Sequence, residues 1–297
     1  MTSTSTTPRF SILIINPNTS RHMTDALKPI VNNLNYSDVH FDYFTAPALT
    51  SVTIEETGRV VPGVPSINSG EDSANSALHC RPFLEPLIPK HDAFLVACYS
   101  AHPLVAMLKE DIKKLEEREG STSNSSSRRR KYVTGIFEAS VSVSLSLISS
   151  FQLLGTDDLR KVQADETFGI VSTGSIWKAE LSKAVAEMLA GPGGSIPGTI
   201  ARFAGAETTG LTAVQLHDTP PDEVRKRISD ATERLIKNTS SPVTVICLGC
   251  AGMAGMEEAV RAGCIRAYGG EAGERVRIVD GVVAGVGLLV NACKARF

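Results

Sequence analysis

Apolar runs with no alternation recur along the chain, each followed by a polar loop and then by apolar positions at helical spacing. Residues 10–15 form such a run, β-branched and apolar on both sides of the backbone, which is the pattern of a central strand in a parallel sheet. Asn16-Pro17-Asn18-Thr19-Ser20 breaks it, and Met23, Ala26, Leu27, Ile30, Val31 and Leu34 then fall on one helical face. Residues 39–44 read as a second strand, and 46–69, rich in Pro, Gly, Thr and Ser, as a loop. A helix is expected over 71–88, interrupted at Pro82 and Pro86. Residues 93–97 form a third strand that ends at Cys98, and 104–117 a helix after the His102-Pro103 break.

From residue 133 the order starts again, with a helix over 139–151, a strand over 167–171 and the polar loop Ser172-Thr173-Gly174-Ser175. Helices over 177–189 and 221–237 follow, and the strand 243–248 runs into Gly249-Cys250-Ala251-Gly252-Met253. Asn16 precedes Cys98 by 82 residues and Ser172 precedes Cys250 by 78, which points to an internal duplication. The expected fold is therefore α/β, with two pseudo-symmetric lobes, each a mainly parallel sheet flanked by helices, and an active site in the cleft between them. Residues 10–132 with about 268–297 are assigned to the first lobe and 133–267 to the second. The Ser/Thr-rich residues 1–9 are expected to be a disordered arm, and 119–131, which include GSTSNSSSRRR, a disordered insertion. The three arginines and Lys131 there read as a solvated loop, with nuclear import or phosphate binding as the sharper alternative. Residues 279–290 carry Asp280 and fall short of the roughly 20 residues of a membrane span, so they read as a buried helix.

Charge changes this picture little. The 30 basic and 32 acidic side chains leave a formal charge of −2, so no net field favours nucleic acid or an anionic membrane, and a small-molecule partner fits better. Six cysteines without small-loop spacing, and no signal-peptide pattern before them, argue for reduced thiols in the cytoplasm, or in the nucleus if the basic run is an import signal. Cys80 and Cys293 lie in helix patterns and Cys264 near a helix end, places for small buried hydrophobes. Cys98 and Cys250 differ: both end buried strands and run into small or polar residues, where open α/β sheets place ligands. Cys247 and Cys250 form a CxxC, but residues three apart in a strand face opposite ways and no second pair of ligands exists, so Cys247 belongs to the core and no metal is expected. Gly249, Gly252 and Gly255 lack the dinucleotide spacing and its acidic residue, which argues against a nicotinamide cofactor. His102 lies close enough in sequence to tune Cys98, and equally suits the surface.

Residues 12–20 with Met23-Thr24, Ala97-Cys98-Tyr99-Ser100 and Leu248-Gly249-Cys250-Ala251-Gly252-Met253 resemble the motifs of the aspartate/glutamate/hydantoin racemase superfamily, in its hydantoin/allantoin branch. Gly135-Ile136-Phe137-Glu138-Ala139 and residues 168–173 fall where that family has similar segments. The sequence departs from bacterial members after Cys98, where Tyr99, Ser100, Ala101 and His102 replace a small and an acidic residue, and in layout it is more similar to fungal proteins of allantoin-linked nitrogen metabolism. The resemblance implies no cofactor, Cys98 and Cys250 as paired acid and base, and a substrate such as allantoin or a 5-substituted hydantoin. A homo-oligomer is expected. Donors to the developing enolate are then sought in Asn16, Asn18, Thr19, Ser172 and Thr173, and in the backbone amides of Tyr99, Ser100, Ala251 and Gly252. Ser51, Thr53, Ile54 and Glu55 are further contributors from the 46–69 loop. Alternatives on the same fold are maleate isomerisation, arylmalonate decarboxylation and amino-acid racemisation, and outside catalysis a small-ligand sensor.

Overall fold

The computed structural model describes residues 9–120, 130–155, 160–190 and 201–297, and its chain contacts divide into two units. Residues 1–139 and 282–297 belong to the first and 140–281 to the second. Residues 1–8 of the expected arm, 1–9, and the core of the expected insertion, 121–129, lie outside the described residues, while the Arg9 amide donates to the Asp38 carbonyl at 2.8 Å.

In the first unit, β1 (Phe10–Asn16), α1 (Arg21–Asn32) and β2 (Val39–Thr45) follow the expected order. The stretch read as a loop contains an antiparallel hairpin, β3 (Val52–Ile54) and β4 (Arg59–Val61). Helix α2 (Gly70–Leu84) starts at Ser69, whose hydroxyl accepts the Asp72 amide at 3.0 Å. It runs through Pro82 and gives way only at Glu85–Lys90, a 3₁₀ segment in whose first turn Pro86 has no amide bond to lose. Then come β5 (Ala93–Val96), α3 (Pro103–Gly120) and β6 (Tyr132–Gly135), a four-residue strand that the pattern did not reveal. The ends of the expected insertion are structured: α3 reaches Gly120, and Lys131 Nζ donates to the His91 carbonyl at 2.6 Å.

The second unit opens in α4 (Ile136–Leu147), whose first turn belongs to the first unit, and continues through the hairpin β7 (Phe151–Leu153) and β8 (Lys161–Gln163). Next are β9 (Thr167–Ser172), α5 (Trp177–Ala190), β10 (Phe203–Thr208), the single turn α6 (Gln215–Asp218) and α7 (Pro221–Lys237). Strand β11 (Val243–Gly249), α8 (Glu257–Tyr268), the short α9 (Gly270–Glu274) and β12 (Arg277–Asp280) complete it, and α10 (Gly281–Ala295) returns the chain to the first unit. Strand β6 pairs with β5 and β12 with β11, so the division falls later at both places than the sequence boundaries of 132/133 and 267/268.

Both units carry a four-stranded, wholly parallel sheet of the same winding. The orders are β2-β1-β5-β6 and β10-β9-β11-β12, so in each the first strand lies between the second and the third. Helices on both faces explain why the central strands are buried almost throughout, as in β1, β5, β9 and β11. Among the described residues no helix is long and apolar enough to cross a membrane.

At Gly263, α8 packs tightly against α7. A Cβ there would stand 2.5 Å from the Ser229 carbonyl oxygen and from Thr232 Cβ, which a backbone atom cannot relieve by rotating. Gly263→Ala should therefore destabilise the fold by about 1–3 kcal/mol through overpacking. A fall in the urea midpoint at unchanged m-value would show it; an unchanged midpoint would mean that the helices part freely.

Candidate active site

A sheet wound in two directions from its first strand leaves a crevice at the carboxyl ends of the first and third strands. In the first unit those ends carry Asn16 to Ser20 and Cys98 to His102, and in the second Ser172, Thr173 and Cys250 to Met253. Ile15 is level with Val96, and Ser172 with Gly249. Cys98 and Cys250 therefore sit at matching heights, each one residue beyond the position level with Asn16 or Ser172.

Cys250 follows Gly249, where a Cβ would meet Ile170 Cγ2, Ser172 Cβ and the Val171 oxygen, each at 2.8 Å. The lack of a side chain there lets β11 lie tight against β9 and fixes where the next residue emerges. Cys250 precedes a single 3₁₀ turn, Ala251–Met253, and its Sγ accepts the Gly252 amide at 3.4 Å. Burial pushes the Cys250 thiol up to about 11, against the lowering pull of the Gly252 and Met253 amides. This favours the protonated thiol at neutral pH.

Cys98 is partly buried, with Sγ 3.6 Å from Ser100 Oγ. The Ser100 amide donates to the Cys98 carbonyl at 3.1 Å, and the Tyr99 ring stands edge-on to Phe137 at 5.7 Å. His102 is neither at the surface nor hydrogen-bonded to Cys98. It is 2% exposed; its Nδ1 accepts the Leu104 amide at 3.3 Å and thereby caps α3, so Nε2 carries the hydrogen towards Ser76 Oγ at 3.0 Å. Burial lowers its pKa to about 3, which keeps the ring neutral.

The loop side chains read as substrate donors are largely engaged within their own loops. Asn16 Nδ2 shares two hydrogens among Asn18 Oδ1 at 3.1 Å, the Ser20 carbonyl at 2.9 Å and Thr24 Oγ1 at 3.0 Å, while its Oδ1 accepts the Asn18 amide. Asn18 Oδ1 also accepts the Ser20 amide, and the Thr19 amide goes to the Val64 carbonyl. Ser172 Oγ donates to the Gly249 carbonyl at 2.6 Å. The Thr173 carbonyl accepts the Gly210 amide and the Thr209 hydroxyl. These polar residues build the loops that hold the cysteines, because a buried loop must satisfy its own backbone. Ser51, Thr53 and Glu55 are exposed on or beside the β3–β4 hairpin, with Ile54 partly covered.

Three residues escaped the sequence reading. Ser73 and Ser76 of α2 lie buried behind the cysteine segment, with Ser73 Oγ 3.4 Å from Ser100 Oγ. Glu138, in the first turn of α4, has its pKa raised by burial, with Lys109 pulling the other way. The segment around Glu138 stood out in the sequence, but its carboxylate did not. Cys247 is core, with Sγ 3.0 Å from Ser144 Oγ. No group of three or more His, Cys, Asp or Glu that could hold a metal occurs among the described residues.

Against known proteins, the family model described as Asp/Glu/Hydantoin racemase matches residues 12–163 and 158–289. An uncharacterised protein of Schizosaccharomyces pombe is 30% identical over 280 residues, covering 94% of this chain and 90% of its own length. Among solved structures, the allantoin racemase from Klebsiella pneumoniae superposes with a TM-score of 0.66 at 19% identity, over 97% of this chain and 89% of that one. The allantoin racemase from Pseudomonas fluorescens gives 0.62, also at 19% identity, over 97% and 92%.

His102 makes stability depend on pH. Its folded pKa of about 3 lies below the usual 6.5, so between these values the unfolded chain binds the extra proton. This contribution is complete above 6.5 and is lost as the pH falls towards 3. His102→Gln should lower stability at pH 7 yet flatten the decline between pH 6.5 and 4, as read from urea midpoints; parallel curves for the two proteins would contradict the buried neutral ring. Asn16→Asp removes both donor hydrogens at constant shape and should cost about 1–3 kcal/mol. A midpoint unchanged from wild type would show that the loop does not rely on them.

Proposed function

Because the chain belongs to the Asp/Glu/hydantoin racemase family and is an enzyme of the racemase/isomerase class, we propose that it inverts C5 of allantoin or a 5-substituted hydantoin without a cofactor. The observation that carries the reading is the matched placement of Cys98 and Cys250, one beyond the third strand of each sheet at the same height against the first strand. The structural likeness to two proteins named allantoin racemases supports the substrate class.

Inversion at a carbon flanked by a carbonyl and a ring nitrogen needs a base on one face and an acid on the other. One thiolate takes the C5 proton, and the electron pair moves onto the carbonyl oxygen as an enolate. The other thiol then gives its proton to the opposite face, so the product leaves with the two sulfurs in exchanged protonation states. Cys250, held as a thiol by burial, rests as the acid, and the amide already directed at its sulfur stabilises the thiolate left behind. Substrate of opposite handedness reverses the roles, and the pair titrates as a unit. The hydroxyl of Thr173, the Asn18 side chain and the amides of Tyr99 and Ala251 are assigned to the enolate, with Asn16, Thr19 and Ser172 holding the loops that present them.

Serine is a far weaker acid than cysteine, so Cys98→Ser and Cys250→Ser should each lower kcat/KM for racemisation by about 10²-fold or more, with circular dichroism unchanged. Cys247→Ser, whose sulfur packs against Ser144, should keep wild-type turnover at some loss of stability. Turnover within tenfold of wild type in either of the first two variants overturns the two-thiol reading.

A further inference from the structure

A row of hydroxyls leads away from Cys98, beyond its motif, into α2. Cys98 Sγ lies 3.6 Å from Ser100 Oγ, Ser100 Oγ 3.4 Å from Ser73 Oγ, and Ser73 Oγ 3.2 Å from the carbonyl of Ser69. Ser73 and Ser100 are both buried, so neither exchanges these partners freely for solvent. A hydroxyl has one hydrogen and accepts as readily as it donates, so the row can be filled in two directions. In one, the Cys98 thiol donates to Ser100, Ser100 to Ser73, and Ser73 to the Ser69 carbonyl. In the other, Ser73 donates to Ser100 and Ser100 to the Cys98 thiolate. The Ser69 carbonyl is satisfied either way, because it also accepts the Ser73 amide at 3.1 Å. Only hydrogens turn between the two states.

We propose that Ser73 is a positioning residue for Cys98, which through Ser100 supports both the thiol and the thiolate, so that one sulfur can serve as acid for one enantiomer and base for the other. This rests on the two-thiol reading above. Ser76 adjoins the row without joining it: its hydroxyl donates to the Ser73 carbonyl at 3.0 Å and accepts from the neutral His102. Several charged or titratable groups on the elements packed around the row have contacts outside it. Asp72 accepts the Asn68 amide, His79 Nε2 meets the Thr50 carbonyl, and Arg59 of the hairpin meets Asn75. Glu138 of α4 interacts with Lys109 of α3. A change in the titration of Cys98 on removing Ser73 is then attributable to the row.

The test is the pH profile of iodoacetamide labelling at Cys98, followed by peptide mass spectrometry, together with racemisation rates. Ser73→Ala removes the group that accepts the Ser100 hydrogen in the thiol state, leaving that hydrogen to face sulfur. The labelling profile should move to lower pH by about half a unit or more, the shift of roughly one hydrogen bond. The kcat for both enantiomers should fall about fivefold, with KM little changed. Ser76→Ala, which removes the bonds to His102 and to the Ser73 carbonyl but no hydroxyl of the row, should leave the labelling profile at its wild-type position. An unmoved profile in Ser73→Ala, or an equal shift in Ser76→Ala, overturns the proposal. If the profile is unmoved while Cys98→Ser is inactive, the two-thiol reading stands and the row alone is rejected. A shifted profile with unchanged racemisation rejects instead the catalytic use of Cys98, and with it the role given to Ser73.

Discussion

The reversal of winding direction at the first strand of each sheet is the constraint on which the site depends. With β1 between β2 and β5, and β9 between β10 and β11, the loops beyond the first and third strands diverge and cannot cover the sheet edge there. Strands buried on both faces supply the rigidity, and in the second unit the bare Gly249 brings β11 close enough to β9 to fix the height of Cys250. Each sheet thus places a thiol beside its crevice by its topology. The surrounding polar residues serve first to make that placement tolerable, as the engagement of Asn16 by Asn18, Ser20 and Thr24 shows.

The two thiols are supported differently. Cys250 meets backbone amides from the turn that follows it, donors that cannot reverse, and burial opposes its ionisation. Cys98 meets hydroxyls, which can reverse. Each inversion exchanges the protonation states of the two sulfurs, which must be reset before the same enantiomer is inverted again, and a fixed donor at one sulfur with an adaptable one at the other provides for both the resting thiol and its ionised partner.

Much of this was legible in the sequence, because parallel central strands write themselves as unbroken apolar runs. Residues 10–15, 93–97 and 243–248 announced β1, β5 and β11 and led directly to Cys98 and Cys250. Of the strands at the sheet margins only β2 was legible: β6 has four residues, four of the six residues of β10 are Gly, Ala or Thr, and β12 merges without a break into the apolar start of α10. The sequence did not reveal how far the loop side chains serve their own loops. Asn16 and Ser172 have the chemistry of substrate donors, but at 2% and 1% exposure their hydrogen bonds serve the backbone that a tight loop leaves unpaired. Ser73 carries no local signal, since it faces Ser100 from a helix 27 residues earlier in the chain.

The most direct measurement of the central claim is solvent isotope incorporation by the wild-type protein. A single enantiomer of allantoin, or of a 5-alkylhydantoin, is incubated in D2O with no added metal or cofactor. Loss of the C5–H signal in the proton NMR spectrum is then compared with loss of optical activity, against a control without protein. The two-thiol reading predicts that the inverted product carries deuterium from its first appearance, while the remaining substrate stays largely protiated. Inverted product that retains protium at C5, or no exchange above the control with either substrate, would contradict the account.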